Sequence, residues 1–279
     1  MIFFSKGITH SGAFHADDVF ATALLKIIEP SFTVKRVLSV PDNVKDCIVY
    51  DIGGGPYDHH DKNIRYHENG KRYASFGLLW REYGEYVTGS YESYKRIEEN
   101  FVSIIDESDN LGEYNPISRT ITAFNPVWNS KENVDDAFEE AVAFAKCVLE
   151  KIIRHERSID SADDEIKKAI VNMRDKIVIL PQEIPFTETL INSEAIFAIF
   201  PSNRGGYCIR GIPVKYGTRV TKMSFPKEWR GETPETLQKL SGNADLVFCH
   251  NSGFIASTNT YESAILIAKQ VINCTAPKF

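Results

Sequence analysis

Three short apolar segments lie in the first 51 residues, and a helical segment joins the first two. The apolar segments cover residues 3–9, 32–38 and 47–50, and residues 17–28 repeat apolar side chains at helical spacing. Strands that alternate with a helix over so short a stretch favour an α/β fold with a doubly wound, mostly parallel sheet. Ligands bind such sheets beyond the carboxyl ends of the strands, where this chain places histidines and aspartates.

The rest of the chain predicts a helical middle and a second, smaller α/β domain. Helical spacing indicates helices over 74–87, 91–109, 134–153, 163–173 and 260–272, and short β-like pieces lie at 176–180, 195–200, 207–214 and 246–250. Pro116 and Pro126 mark 115–129 as irregular. We therefore divide the chain into an N-terminal domain (1–130), a helical connector (131–175) and a C-terminal domain (176–279).

Composition excludes several classes of protein. Charged residues make up 25% of the chain and hydrophobic ones 43%, which fits a globular protein. No apolar run approaches the roughly 20 residues of a membrane span, so we expect no membrane partner. The opening MIFFSKGITH predicts a strand and not a signal peptide, which favours a cytoplasmic protein. The five cysteines form no C-x-x-C pair, which argues against structural zinc and a disulfide framework.

Histidines and aspartates are concentrated in two motifs, T-H-S-G-A-F-H-A-D-D (9–18) and Y-D-I-G-G-G-P-Y-D-H-H-D (50–61). Imidazole and carboxylate ligands without thiolates favour Mn²⁺, Fe²⁺ or Mg²⁺. Two such ions about 3.5 to 4 Å apart, sharing one carboxylate, would suit hydrolysis at phosphorus. The alternative for residues 58–61 is a polar hairpin tip, but two acids and two imidazoles in four positions serve no purpose in core packing.

Asp106 and Asp109 offer further carboxylates. They lie three positions apart at the carboxyl end of the predicted helix 91–109, and therefore on one face. Acidic groups there oppose the helix dipole at a cost of about 0.3 to 1 kcal/mol each, which a bound cation would offset. The alternative is a frayed, solvated acidic helix end, against which Ile104 and Ile105 argue for partial burial.

These motifs together resemble the MYG1 family (UPF0160-type) of the DHH phosphoesterase superfamily. Besides 9–18 and 51–61, the resembling segments are Y-A-S-F-G-L-L-W (73–80), I-D-E-S-D-N (105–110), F-P-K-E-W-R-G-E (225–232) and S-G-N-A-D-L-V-F-C-H-N-S-G-F-I-A (241–256). The resemblance implies a DHH-like metal-binding catalytic domain over 1–130 and a substrate-binding domain over 176–279. It also implies a dinuclear Mn²⁺ or Mg²⁺ centre in a 3′–5′ exonuclease that hydrolyses phosphodiester bonds in short RNA or DNA.

Carried over by position, the resemblance assigns individual roles. His10, His15 and Asp17 match the first metal motif, Asp51 the bridging carboxylate, and Asp58, His59 and His60 the namesake triplet. Within the triplet, the resemblance implies that His59 is a metal ligand. It places His60 and Asp58 among the catalytic residues, with His60 facing the phosphate. Asp106 or Asp109 would supply the last carboxylate. The first motif departs from the superfamily's His-x-x-x-Asp-x-Asp, and the second half lacks the Gly-Gly-Gly-His element of nucleotide-cleaving relatives.

The second half carries an excess of basic residues. Residues 204–230 hold seven arginines and lysines against Glu228 alone, in a chain whose net charge is −6. The simple interpretation is a solvated face of a strand pair, and the functional one is a site for an anionic substrate. On the second interpretation, Arg204, Arg230 and His250 would hold the non-reacting phosphate or nucleotide, with arginine favoured for its two-pronged donor geometry.

Three functions compete at this point. The first is a phosphodiesterase on short oligonucleotides, the second a phosphohydrolase on a small phosphoester such as pyrophosphate or a cyclic dinucleotide, and the third a metal-containing binding protein without turnover. Acidic surface outside 204–230 argues against long duplex nucleic acid as a partner. The sequence leaves the oligomeric state open, a homodimer included.

Overall fold

The computed structural model describes residues 4–275, so Phe3, at the start of the first predicted strand, lies outside the described residues. The strands are β1 (Lys6–His10), β2 (Thr33–Val37), β3 (Ile48–Val49), β4 (Ile177–Ile179), β5 (Phe197–Pro201), β6 (Tyr207–Gly211), β7 (Leu246–Cys249) and β8 (Ile255–Thr258). The helices are α1 (Ala16–Ile28), α2 (Ser75–Thr88), α3 (Tyr91–Ile97), α4 (Ser103–Leu111), α5 (Pro116–Thr122), α6 (Val134–Val171), α7 (Glu188–Asn192), α8 (Pro234–Ser241) and α9 (Tyr261–Thr275). The chain forms two compact units, Met1–Arg157 and Ser158–Phe279.

The first unit contains a sheet of three parallel strands in the order β2-β1-β3. The predicted parallel sheet in an α/β fold is therefore confirmed. The register pairs Gly7 of β1 with Val34 on one side and Ile48 on the other. Because parallel strands end at the same edge of a sheet, His10 at the end of β1 lies beside the chain that leaves β3 at Asp51.

Helix α1 is buried through most of its length and packs on α2. An aromatic cluster joins the two helices: the ring of Phe20 lies 5.5 Å from that of Phe76 and 5.2 Å from that of Phe101. Trp80 extends this cluster and is fully buried. This apolar packing fixes the start of α1, where the candidate ligands His15 and Asp17 lie.

The predicted helix 91–109 forms as two α-helices joined by one π-helical turn over Glu98–Val102. Such turns insert one extra residue into a helix and are frequent near functional sites. The prediction of irregular structure over 115–129 was wrong in its first part, where α5 forms. Pro116 occupies the first turn of α5, where proline costs no hydrogen bond, and the Asn115 side chain accepts from the backbone N–H groups of Ile117 and Ser118.

Helix α6 runs without a break over 38 residues, where the sequence predicted two helices, 134–153 and 163–173. The polar stretch between them contains neither Gly nor Pro, and Ile159 and Ala162 continue the buried stripe. The boundary between the two units falls inside this helix, after Arg157. The separate functions assigned to 1–130, 131–175 and 176–279 stay predictions.

The second unit contains a five-stranded mixed sheet in the order β4-β5-β6-β8-β7. Only β4 and β5 pair in parallel among these neighbours. Side chains of β5 alternate between two apolar clusters, with Phe197 and Ile199 in one and Ala198 and Phe200 in the other. Both faces of the sheet are therefore covered, which explains the nearly continuous apolar sequence of this strand.

Among residues 4–275, none of the helices combines the length and the apolar composition needed to cross a bilayer.

Candidate metal centre

The carboxyl ends of β1 and β3 bring His10 and Asp51 into contact. His10 Nε2 lies 3.2 Å from Asp51 Oδ2 and 3.2 Å from Asp18 Oδ2. The other ring nitrogen, Nδ1, lies 3.2 Å from the carbonyl oxygen of Ser11, which can only accept, so Nδ1 is the donor. This leaves Nε2 facing two carboxylates. In histidines that ligate metals, a hydrogen bond from the other ring nitrogen to a carbonyl orients the ring in the same way.

The start of α1 supplies His15, Asp17 and Asp18. His15 precedes the first residue of the helix, and its backbone N–H donates to Asp18 Oδ1 over 2.8 Å. Acidic residues in the first turn are favoured by the helix dipole. The side chains of Asp17 and Asp18 are nevertheless fully buried, and capping alone does not require that.

The segment after β3 positions the predicted triplet. Asp51 has a left-handed backbone (φ 57°), which is uncommon outside glycine and costs about 1–3 kcal/mol. The Gly54 N–H donates to Asp58 Oδ2 over 2.7 Å, so the triple glycine holds the Asp58 carboxylate. Asp58 Oδ1 in turn lies 2.8 Å from His60 Nδ1.

His59 and His60 occupy different environments. The side chain of His59 is 8% exposed, and its Nε2 lies 3.1 Å from Asp51 Oδ1, 3.6 Å from Asp17 Oδ2 and 3.4 Å from Asp109 Oδ2. The side chain of His60 is 63% exposed and is held by Asp58. A buried imidazole among three carboxylates suits a metal ligand, whereas an exposed imidazole beside one carboxylate suits contact with a substrate.

The structure brings Asp109, and not Asp106, to this cluster. Asp106 Oδ2 lies 2.8 Å from His67 Nε2, and Asp106 Oδ1 accepts from the Gly77 N–H over 3.1 Å. Both aspartates lie on α4, but residues three apart are about 60° apart around a helix, enough to aim them at different neighbours. Of the two alternatives, Asp109 therefore lies at the cluster, and the Asp106 carboxylate is engaged by His67 and Gly77.

Three groups of side chains each offer donor atoms within 4.8 Å of one another, and two of the groups share a residue. They are Asp51, His59 and His60; His10, Asp18 and Asp51; and His15, Asp17 and Asp109. Asp51 belongs to two groups, with Oδ1 toward His59 and Oδ2 toward His10, which is the geometry of a bridging carboxylate.

Orphaned buried atoms test whether the cluster fits a metal ion. Both carboxylate oxygens of Asp17, Oδ2 of Asp18 and Nε2 of His59 are buried without a hydrogen-bond partner within residues 4–275. Buried polar atoms in native proteins are normally satisfied, and unpaired ones cost about 1–3 kcal/mol or more when charged. Divalent cations would satisfy all four, and the mixed N and O donor set fits Mn²⁺ or Mg²⁺.

The electrostatics of the cluster indicate the same need for positive charge. Burial, and then the neighbouring Asp51, raise the pKa of Asp17 well above its ordinary value. Contact with Asp18, and then with Asp51, raises the pKa of His10 to about 10. Burial alone would raise the pKa of Asp51, but contacts with His10 and His59 outweigh it and lower that pKa. Protons on the histidines thus balance part of the negative charge that cations would otherwise balance.

Two contributors to the cluster were missed in the sequence: Ser75 and Asn110. Ser75 Oγ donates to Asp51 Oδ1 over 3.0 Å. Burial lowers the pKa of His59, but contacts with Asp51, Asp109 and Asn110 outweigh it and raise that pKa. Both residues lie inside segments quoted above, but nothing in their spacing marks them as partners of a ligand. Asp18, the last residue of the first motif, lies with its carboxylate beside His10.

The candidates in the second unit are described within that unit alone. Arg230 donates through Nε and Nη2 to the carbonyl of Phe225, over 2.9 and 2.7 Å. A Cβ on Gly253 would lie 2.4 Å from Arg230 Nε, so glycine makes room for this side chain. His250 Nδ1 contacts Ser252, and Arg204 is exposed in a turn after β5. The substrate-binding role of these three residues stays a prediction.

The fold and the cluster define a class: an α/β protein with histidines and carboxylates at the carboxyl edge of a parallel sheet, in groups that could hold metal ions. The MYG1 exonuclease family model, described as an uncharacterised protein family (UPF0160), matches residues 6–272. The chain belongs to this family, as its motifs predicted.

Named relatives match along almost the whole chain. An MYG1 protein of Caenorhabditis elegans is 28% identical, over 95% of this chain and 94% of its own length. An MYG1 protein of Saccharomyces cerevisiae is 27% identical, over 94% of each chain. The human MYG1 exonuclease is 26% identical, over 95% of this chain and 85% of its own length.

Proposed function

We propose that this protein is a metal-dependent phosphodiesterase that acts as a 3′–5′ exonuclease on short RNA or DNA. The observation that carries the proposal is the convergence of His10, Asp17, Asp51, His59 and Asp109 at one sheet edge, with orphaned buried donors among them. The names of the relatives that are called exonucleases support the choice of a nucleic-acid substrate. The Asp58–His60 triplet beside Asp51 supports placing the chain with the DHH phosphoesterases.

Two divalent cations, Mn²⁺ or Mg²⁺, would be held by His10, His15, Asp17, Asp51, His59 and Asp109. When bound, they would supply Lewis-acid activation of water and of a phosphoryl oxygen. The residues around them orient the ligands: Ser75 holds Asp51, and Ser11 fixes the His10 tautomer. His60, oriented by Asp58, hydrogen-bonds a non-bridging oxygen of the scissile phosphate or donates a proton to the leaving oxygen.

Replacing His60 by glutamine separates this role from metal binding. We expect kcat to fall about 100-fold, because a positioned acid contributes about 10²–10⁴ to such a reaction. Mn²⁺ binding, measured by calorimetry, should stay within about twofold of wild type, since His59 and Asp51 are untouched. Asp58→Asn should give a smaller loss, because the His60 ring remains but loses its orienting partner. Wild-type kcat in His60→Gln would remove His60 from the mechanism.

The proposed function is tested by an activity panel with Mn²⁺ over short oligonucleotides labelled at either end, a cyclic dinucleotide and pyrophosphate. We expect stepwise shortening from the 3′ end of oligonucleotides, its loss with EDTA and its return with added Mn²⁺. Shortening from the 5′ end would overturn the polarity alone. Failure to cleave any phosphoester in the panel would overturn the function.

A phosphohydrolase on a small substrate is the second candidate. A cavity of about 770 Å³ borders the proposed metal-binding side chains, including His10, Asp51 and Asp109, which we call the metal cluster. Its volume falls within the roughly 300–1,000 Å³ of small-molecule sites. The salt dependence of KM distinguishes the two. An oligomer that contacts several phosphates loses affinity steeply between about 50 and 200 mM salt, and a small phosphoester does so much less.

A further inference from the structure

The cavity beside the metal cluster has two chemically different walls. One wall belongs to the cluster and is rich in acids, including Asp51, Asp58 and Asp109. The other wall comes from the segment that follows α4 and from α5, and includes Glu113, Ser118 and Arg119. None of the sequence motifs singled out this second wall, and the mechanism above does not use it.

Arg119 is the only arginine or lysine among the described residues that line this cavity. Its side chain is exposed, and its guanidinium forms no hydrogen bond or ion pair with the described part of the chain. Two other arginines of the first unit are engaged, since Arg36 pairs with Asp135 and Arg65 donates to the carbonyl of Pro56. Arg119 therefore keeps its donors free, in a cavity where it faces acids.

Ser118 provides a second, independent observation. Its Oγ is buried and has no hydrogen-bond partner within residues 4–275, although the residue lines the same cavity. The backbone groups of Ser118 are used, since its N–H donates to Asn115 and its carbonyl accepts from Thr122. Ser118 and Arg119 thus each contribute an unpartnered donor group to the lining of one cavity. A phosphate group offers oxygens to both, and arginine binds phosphate through two parallel hydrogen bonds.

We propose that Ser118 and Arg119 bind a second phosphate of the substrate, next to the scissile phosphate at the metal cluster. This inference rests on the proposed function and makes it more specific: the preferred substrate carries a phosphate one nucleotide away from the bond that is cut. Without a cation on this wall, Glu113 would repel such a phosphate. The inference also places a phosphate-binding group inside the first unit, independently of Arg204 and Arg230.

The test compares a dinucleotide with no terminal phosphate to the same dinucleotide with a 5′ or a 3′ phosphate. We expect wild type to favour one phosphorylated form in kcat/KM, and Arg119→Gln to lower that preference about 10- to 100-fold, the size of lost charge-assisted hydrogen bonds. Cleavage of the unphosphorylated dinucleotide and of bis(p-nitrophenyl) phosphate should change less than about twofold. Arg119→Lys should retain part of the preference, since lysine keeps the positive charge but cannot form the two parallel hydrogen bonds of a guanidinium.

Arg154→Gln is the matched control, because Arg154 is exposed on α6 and does not line the cavity. It should leave the preference at the wild-type level. A wild-type enzyme that cleaves all three dinucleotides equally, or an Arg119→Gln enzyme that keeps the full preference, would overturn the inference and leave the proposed function intact.

A binding measurement decides the inference even if wild type cleaves no phosphodiester and the proposed function fails. Calorimetry with Mn²⁺ would use a methylphosphonate-linked dinucleotide, which resists cleavage, with and without the terminal phosphates. Affinity that depends on a terminal phosphate and is lost in Arg119→Gln supports the inference. Affinity that is independent of the terminal phosphates, or unchanged in the variant, overturns it.

Discussion

Replacing Asp51 by asparagine is expected to lower turnover at least about 1,000-fold, which corresponds to about 4 kcal/mol of transition-state stabilisation. Asp51 is the one residue that contributes to two of the three donor groups, one oxygen toward His10 and the other toward His59. Asparagine offers one carbonyl oxygen and no charge, so it cannot bridge two cations. The measurement is kcat with Mn²⁺, together with the number of ions bound by calorimetry.

Asp61→Asn is the matched control, because Asp61 closes the same motif but is exposed, and within residues 4–275 its carboxylate accepts a hydrogen bond only from the nearby Asn63 N–H. It should keep turnover and metal content at wild-type levels. The Asp51 variant should retain the fold, since asparagine keeps the size of the side chain and can still accept from Ser75. Two bound ions and normal kcat in Asp51→Asn would rule out the bridging role and with it the proposed mechanism.

Much of this centre could be predicted from the sequence because it depends on strand order. Once β1 and β3 are neighbours in a parallel sheet, His10 and Asp51 must lie at the same edge, and the residues that follow them must lie near it. The concentration of acids and imidazoles in 9–18 and 50–61 then identified the chemistry. None of this required knowledge of side-chain packing.

The choice between Asp106 and Asp109 did require packing. Helical spacing places both on one side of α4, and only the position of His67 decides which carboxylate is already used. His67 lies in Y-H-E-N-G-K-R-Y, a segment without a recognisable motif, and reaches Asp106 across 39 positions in the sequence. The sequence contains no local signal for so distant a pair.

The errors over 115–129 and 154–162 have local causes. Pro116 was treated as a helix breaker, although after a capping asparagine it occupies the position that favours helix initiation. This error concealed α5, and with it the cavity wall formed by Ser118 and Arg119. The polar stretch in α6 was treated as a break, although two buried residues continue its stripe.

Replacing His67 by alanine is expected to lower the free energy of unfolding of the metal-free protein by about 3–5 kcal/mol. His67 is 3% exposed and lies between two buried acids, with Nε2 2.8 Å from Asp106 and Nδ1 3.2 Å from Glu98. Burial would lower the pKa of His67, but these two contacts outweigh it and raise that pKa. Both ring nitrogens face an acid, which is the arrangement that favours the doubly protonated ring. Alanine leaves both acids buried without this partner. Urea unfolding in EDTA measures the change.

A milder variant of the same network is Tyr73→Phe. It removes only the hydroxyl that donates to Glu98 over 3.2 Å, and should cost about 1 kcal/mol. Equal losses in His67→Ala and Tyr73→Phe would contradict a special role for the imidazole.

The cause of the His67→Ala loss is identified by a second substitution, Asp106→Asn. If uncompensated charge is the cause, Asp106→Asn in the His67→Ala background should restore part of the lost stability, because it removes a buried acid that no longer has a partner. The same change in wild type should destabilise, since it breaks the contact with His67 while leaving that cation buried. If the cause were only the cavity left by the ring, Asp106→Asn would destabilise in both backgrounds. The sign of the Asp106→Asn effect in the two backgrounds therefore decides whether α4, which carries Asp109 to the metal cluster, is held in place by charge pairing or by packing alone.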